Sequence, residues 1–280
     1  MGIGINQDSD PKLKPIIEIK NLGTRFGENW VHKNLNLTIY PNRIVNIIGA
    51  SGSGKTTLVH EVLMLQPITE GEIYFAGKKI SNYNIEDAGT KEILSQVGMM
   101  FQHCALFSSM SVLENVMFPL VEYTNFSTET IKEIAHIKLR LTGLPDNAHT
   151  LYPKDMSGGM LKRVALARTL ALDPKVVFLD EPTSGLDPNS ASGFDELISD
   201  LQHRLNLTVV LITHDLDTIW SIADEVVYLG DKKVLFHDTV LKAANAENIP
   251  ELYEYFNGAR GQITKSFHAK LKAGELDNEK

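Results

Sequence analysis

Gly49-Ala50-Ser51-Gly52-Ser53-Gly54-Lys55-Thr56 decides how this chain is read. The run meets the phosphate-loop pattern G-x-x-x-x-G-K-[ST] at every fixed position. Its flanks agree. Ile44-Val45-Asn46-Ile47-Ile48 predicts a buried strand, and Thr56 to Leu65 predicts a helix stopped before Pro67. Glycines let the backbone curl into a nest of inward N–H groups that binds anionic oxygens, and the helix that follows adds the positive end of its dipole. Lys55 is expected to reach the β- and γ-phosphates of a nucleotide and the Thr56 hydroxyl to ligate magnesium. Residues Gly49 to Thr56, with Thr57, form the expected nucleotide-binding set. A chance glycine-rich turn would supply the glycines without strand, lysine and helix in order.

The 280 residues suffice for one large domain with a subdomain, and an apolar fraction of 43% supports a sizeable core. No apolar run approaches the roughly 18 residues needed to span a bilayer. Met1 to Lys14 is polar, without a signal-peptide core, and reads as a flexible N-terminus. A cytosolic chain is expected, with any membrane role reached through a partner. The single cysteine, Cys104, excludes an internal disulfide and a cysteine zinc cluster. A net charge of −8 argues against broad nucleic-acid binding.

Strand and helix signals alternate along most of the chain. Ile16–Ile19 and Leu35–Ile39 alternate as half-buried strands do, and Glu72 to Ile80 reads as a hairpin turning at Ala76-Gly77. From about 95 to 170 the sequence is rich in Met and Leu with helical patterning. Val176–Leu179, Thr208–Ile212 and Glu225–Leu229 are then strands, and Asp187 (followed by Pro188) and Asp215 are placed to cap helices. Such alternation implies a mostly parallel sheet with helices on both faces, the helical stretch being an insertion.

Further residues complete a phosphate site. Asp180 and Glu181 follow four apolar residues, at the carboxyl end of a parallel strand where ligands gather. Asp180 is expected to hold magnesium and Glu181 to polarise the attacking water as general base. A core strand ending in two solvated acids is the plainer alternative, and the phosphate loop tips the balance. His214 follows another strand and is expected to bond the γ-phosphate and position Glu181 and the water. The Gln102 amide is placed to touch magnesium and the water. Ser157-Gly158-Gly159 opens an amphipathic helix, with Ser157 as N-cap and two glycines exposing backbone N–H groups. If this second anion site lies on the helical insertion, one γ-phosphate cannot easily meet both it and Lys55 in one subunit. Two copies related by a two-fold axis resolve that.

At this point the chain resembles the ATP-binding cassette (ABC) superfamily over roughly Ile16 to His237. Its motifs occur in order: Walker A at Gly49–Thr56, the Q-loop at Gln102, the signature at Ser157–Gly159, Walker B with Glu181, the D-loop Ser184-Gly185-Leu186-Asp187, and the switch His214. The resemblance implies an ABC-type P-loop NTPase with a mostly parallel core sheet, an antiparallel β subdomain and an inserted α-helical subdomain. The cassette would occupy 15–244, with 245–280 as a C-terminal extension. It implies ATP and Mg2+ as ligands, a homodimer around two ATP, Phe26 stacking on adenine, and Asp187 among the nucleotide-contacting residues. Met156 and Met160 stand where the family's signature has Leu and Gln. Loss of that Gln amide puts contact with the sugar or the arm in doubt, while phosphate contact rests on the retained Ser157, Gly158 and Gly159.

Ser-Gly-Gly-Met followed by Lys162-Arg163, with Phe101 to Phe107, Ser111 to Val116 and Phe118-Pro119-Leu120, looks like the ATPase of Mla-type lipid transporters. That resemblance implies an integral-membrane permease, a STAS-domain regulator, an MCE-domain lipid-binding protein, and a place at the cytoplasmic face of the inner membrane. Part of Leu106–Leu120 is expected to form a groove for a permease helix, with Cys104 a buried filler beside it. Ile249, Leu252, Tyr253 and Phe256 lie at helical spacing, which fits a helix packed on its own domain, and the Mla resemblance leads to the expectation that the tail reaches the other subunit or a regulator. An importer ATPase for amino acids or other small solutes and a soluble ABC protein remain the alternatives. A non-catalytic cassette does not account for Lys55, Asp180, Glu181 and His214 together.

Overall fold

The computed structural model describes residues 13–81, 88–259 and 261. The N-terminal segment before Leu13, and the tail read as charged beyond Gly261, lie outside the described residues. The described residues divide into two compact units, 13–81 with 212–259 and 261, and 88–211.

The chain opens with strands β1 (Ile17–Phe26), β2 (Asn29–Ile39) and β3 (Ile44–Gly49), helix α1 (Lys55–Val62), and strands β4 (Glu70–Phe75) and β5 (Lys78–Lys79). The second unit follows with α2 (Ala88–Leu94), β6 (Val97–Met100), α3 (Val112–Tyr123), α4 (Thr128–Leu141), α5 (Gly158–Thr169), β7 (Val176–Asp180), α6 (Pro188–Leu205) and β8 (Thr208–Ile212). The chain then returns to the first unit with α7 (Leu216–Ile222), β9 (Glu225–Gly230), β10 (Lys233–Thr239), α8 (Val240–Ala243) and α9 (Pro250–Asn257).

In the first unit β2-β1-β4-β5 form an antiparallel sheet. Ala76 and Gly77 both have positive φ, 48° and 79°, as a type I′ turn requires, and Phe75 pairs Lys78 across it. The same unit contains a parallel pair, β3 with β9, and β10 runs antiparallel to β9. Every residue of β3 from Ile44 to Ile48 is buried, as befits a strand covered on both faces.

Helix α9 belongs to this unit's core. Leu252 and Phe256 are fully buried in a cluster with Ile48, Ile219, Trp220, Val226 and Val240, and the Trp220 and Phe256 rings meet edge-on at 5.9 Å. The apolar face of this helix packs on its own unit. Four-residue spacing put Leu252 and Phe256 on one stripe, and that stripe is consumed inside its own unit.

In the second unit β6 and β7 are parallel, and β8 flanks β7. Three helices build the core beside them. Val112, Val116 and Leu120 of α3, Ile131, Ala135 and Leu139 of α4, and Val164, Ala167 and Ala171 along and after α5 are all buried together. The first two sets are i, i+4, i+8 rows, the ridges that helices interdigitate. A reciprocal capping box, Ser111 with Glu114, starts α3. Fully buried Asn115 donates to the carbonyls of Phe107, Met110 and Ser111, and its Oδ1 accepts from Phe107 N at 2.8 Å, which fixes the 107–111 loop.

An internal polar pair underlies the first unit. His32 of β2 and Glu61 of α1 are both fully buried, with Nδ1 3.2 Å from a carboxylate oxygen. Removing one partner strands the other in a low-dielectric interior, whereas replacing both with apolar residues does not. Urea unfolding is expected to show losses of about 3–5 kcal/mol for His32→Leu and Glu61→Leu singly, and a double variant within about 1 kcal/mol of the parent. A double variant as unstable as the sum of the singles would show that the pair is not the source of the cost.

Candidate functional site

The phosphate loop grows directly out of β3. Gly49 has φ 155°, and a Cβ there would meet the Leu229 carbonyl oxygen at 2.4 Å, so the strand end must be glycine. Gly54, with φ 95°, serves as N-cap of α1, and no side chain caps that helix start. A Cβ on Gly54 would lie 2.3 Å from His32 Nε2 and 2.8 Å from Val31 Cγ1. The floor of the loop is therefore the buried His32, and the helix start is left to an anion. Lys55 Nζ donates to Gly49 O at 2.7 Å and Ala50 O at 3.0 Å, folding back over the loop it belongs to.

Two other expected residues share this unit. Phe26 ends β1 at the tip of a two-residue hairpin and is 50% exposed. His214 is exposed, and its backbone is held on two sides. Asn46 Nδ2 of β3 donates to Thr213 O at 3.4 Å, and the Tyr255 hydroxyl of α9 donates to His214 O at 2.9 Å. Asp215 caps α7 by accepting from Asp217 N.

The second unit carries the acids, the glutamine and the serine. β7 is buried from Val176 to Leu179 and ends at half-buried Asp180. Parallel pairing sets Met100 beside Leu179, so Gln102 and Glu181, each two residues further on, leave the same edge. Glu181 has φ 45°, a left-handed conformation that costs a non-glycine residue energy. Ser157 caps α5, its Oγ accepting from Met160 N at 3.3 Å, with Gly158 and Gly159 opening the helix. Asp187 caps α6 through Ser190, and the Ser190 hydroxyl and N–H hold its carboxyl below the usual carboxylate range.

One residue links two of these loops. Lys162, 5% exposed in α5, donates from Nζ to Gln102 O at 2.7 Å, Glu181 O at 3.2 Å and Ser184 Oγ at 3.4 Å. Burial pushes its pKa down. Six residues along, Arg168 donates to the carbonyls of Cys104 and Ala105, which have φ 63° and 48°. Cys104 is buried here, and burial pushes its thiol up. Sequence reading assigned no role to Lys162, Arg168 or Tyr255. A signal existed for the first, since Lys162 shares a helix face with Ala165, Leu166 and Thr169, all buried. A charge on an apolar face asks for partners.

Phe107 and Phe118 are exposed, 41% and 37%, with ring centroids 4.9 Å apart, while Val112, Val116 and Leu120 point into the core. The apolar run from Leu106 to Leu120 thus divides between interior and surface.

The set defines a nucleoside-triphosphate hydrolase of the cassette type, and comparison with known proteins agrees. Residues 32–184 match the ABC transporter family, and the chain belongs to that family. The intermembrane phospholipid transport system ATP-binding protein MlaF of Haemophilus influenzae is 39% identical over 80% of this chain and 84% of its own length. The methionine import ATP-binding protein MetN 1 of Salmonella typhi is 37% identical over 94% of this chain and 75% of its own. Among solved structures, a dimeric post-hydrolysis state of the ATP-binding cassette MJ0796, bound to ADP and Pi, aligns with TM-score 0.72 and 31% identity over 80% of this chain and 98% of that one. The cbiO1 structure from Clostridium perfringens aligns with TM-score 0.75 and 26% identity over 90% of this chain and 99% of that one. The chain is accordingly an ABC-type ATPase subunit. Among the described residues no helix is long and apolar enough to cross a membrane.

Gly54→Ala is expected to weaken binding of a fluorescent ATP analogue by about tenfold or more, because the loop must shift off His32. Adding His32→Ala removes the nearest clash and is expected to recover part of the loss. Gly52→Ala, where no atom lies within 4 Å of an added Cβ, is expected to cost less.

Proposed function

We propose that this chain is the ATP-hydrolysing subunit of a phospholipid transporter of Mla type, acting as a homodimer around two ATP and docked on an integral-membrane permease at the cytoplasmic face of the inner membrane. The observation that carries the cargo assignment is the 39% identity to the phospholipid-system protein across four-fifths of both chains. Ser157-Gly158-Gly159-Met160 with Lys162-Arg163 supports it, on the resemblance that led there. A STAS-domain regulator and an MCE-domain lipid-binding protein complete the proposed assembly. A second reading, import of methionine or another small solute, is supported by the match of the methionine importer's subunit over 94% of the chain.

The roles follow from chemistry. Gly49 to Thr57 cradle the phosphates, and Lys55 leaves its loop carbonyls to neutralise charge on the β- and γ-phosphates. The donor set suits magnesium: the Thr56 hydroxyl, the Asp180 carboxylate and the Gln102 amide are hard oxygen ligands. They are too few to enclose a cation, which matches a metal that shares its coordination with phosphates and water. When bound, the ion neutralises charge developing on the phosphate oxygens. Glu181 takes a proton from the attacking water, and His214 orients the pair. Phe26 stacks on adenine, using the exposed ring at its hairpin tip. Ser157, Gly158 and Gly159 of one subunit close on the γ-phosphate held by the other, and Asp187 lies along the same dimer face. Phe107 and Phe118 supply the surface that a permease helix covers, downstream of Gln102.

Two experiments test the reading. Glu181→Gln is expected to keep ATP affinity within about threefold while phosphate release falls by about 10²-fold or more, and Lys55→Ala to damage both. Wild-type turnover in Glu181→Gln removes that residue from the base role. Mass spectrometry of proteins and lipids that co-purify with the tagged subunit from native membranes separates the cargoes. A permease with an MCE-domain protein and enriched phospholipid is expected, and a permease with a solute-binding protein would replace the lipid.

A further inference from the structure

We propose that Lys162 is a positioning residue for ATP hydrolysis: its buried ammonium joins Gln102, Glu181 and Ser184 and thereby sets where the general base points. The inference rests on the hydrolytic reading above and adds to it a residue that so far served only as a mark of the subfamily.

Three observations carry it. First, all three N–H donors of the ammonium have acceptors, and the acceptors lie in two loops, the one after β6 and the one after β7: Gln102 O at 2.7 Å, then Glu181 O at 3.2 Å and Ser184 Oγ at 3.4 Å. Two of the three are backbone carbonyls, so the lysine fixes main-chain position and not merely side-chain contact. Second, the side chain is buried to 5%, in a helix whose neighbouring inward positions are Val164, Ala165, Leu166 and Ala167. Methionine would fill that space without the desolvation that a charge suffers. Burial lowers the lysine pKa, and the charges of Cys104, Glu181 and Asp180 oppose that shift. Third, the carbonyl it holds belongs to Glu181, whose φ of 45° persists only where surroundings impose it. Ser184 N donates to the same carbonyl at 3.2 Å, so two donors clamp the strained peptide.

The direction of the Glu181 carboxylate follows from its backbone. A general base must lie within hydrogen-bond reach of the proton it takes, and a misplacement of about 1 Å costs on the order of 10²-fold in rate. Releasing the clamp lets Glu181 relax toward ordinary φ and swings the carboxylate away. The phosphate loop itself receives no bond from Lys162 among those above, so nucleotide affinity is not the quantity that should change.

The test uses the full-length protein, with steady-state phosphate release and titration of a fluorescent ATP analogue. Lys162→Met is expected to lower kcat by about 30-fold or more with analogue Kd within about threefold of wild type. Lys162→Gln keeps amide donors and is expected to recover at least about fivefold of that loss. Turnover of Lys162→Met within about twofold of wild type overturns the proposal, as does a parallel loss of affinity and kcat, or a Gln variant no better than Met. If the Met variant fails to fold, Ser184→Ala removes one acceptor without adding volume. It is expected to lower kcat about threefold at unchanged Kd, and wild-type kcat there overturns the proposal. Wild-type protein that never releases phosphate, alone or with its permease, rejects the hydrolytic reading and this inference together. An active wild type with an equally active Lys162→Met rejects this inference alone.

Discussion

Parallel pairing of buried strands is the constraint on which the rest depends. Two parallel strands cannot be joined to each other by a tight hairpin, and they run out at the same edge of their sheet. In the first unit β3 opens into the phosphate loop, and its partner β9 contributes the Leu229 carbonyl that leaves room only for glycine at position 49. In the second unit β6 and β7 run side by side and release Gln102 and the Asp180-Glu181 pair at one edge. Residues separated by nearly eighty positions in sequence become neighbours because two short strands share a register. The chemistry is supplied by loops, but the hydrogen-bonded strands decide which loops can meet.

Each unit then fastens its loops with buried polar groups. Below the phosphate loop, the His32–Glu61 pair occupies space under Gly54 and bridges the antiparallel sheet to α1. In the other unit, α5 extends Lys162 and Arg168 to carbonyls in the loops after β6 and β7. Asn115 does the same for the loop preceding α3. Such groups are costly to bury and specify one arrangement when their donors find acceptors; the three donors of Lys162 do, whereas His32 and Glu61 approach each other without a hydrogen bond. Buried polar groups also stand in the helical core, where Lys138 reaches Asp173 and His149 meets His136, so the device is not confined to the motif loops.

Much of this was legible in the sequence, and the parts that were not share a cause. The strand before Gly49, the hairpin at Ala76-Gly77 and the caps at Ser157, Asp187 and Asp215 follow from local rules, because apolar runs, glycine and short polar side chains act on adjacent backbone. Glu181 and Gln102 were singled out by type and spacing, and the pairing of β6 with β7 brings both out at one edge. What could not be read were bonds that reach across sequence to main-chain atoms. The Lys162 carbonyl contacts and the Tyr255 bond to His214 O leave no trace in the identity of the acceptor residue, since every residue has a carbonyl. The apolar face of α9 shows a related limit. Periodicity located the stripe containing Leu252 and Phe256 but could not say which surface it would meet.

The paired left-handed residues after Gln102 have a mechanical consequence. Cys104 and Ala105 each sit where an L-residue pays on the order of 1–2 kcal/mol, and the Arg168 guanidinium offsets that by gripping both carbonyls. The segment is thus a latch under load. Two bonds to one side chain and two backbone bonds, Cys104 N to Phe101 O at 2.8 Å and Ala105 N to His103 O at 2.7 Å, hold it in this shape. A perturbation that takes only those two carbonyls from Arg168 has the backbone's own preference working with it, so a small input at one guanidinium can move a stretch of chain several residues long.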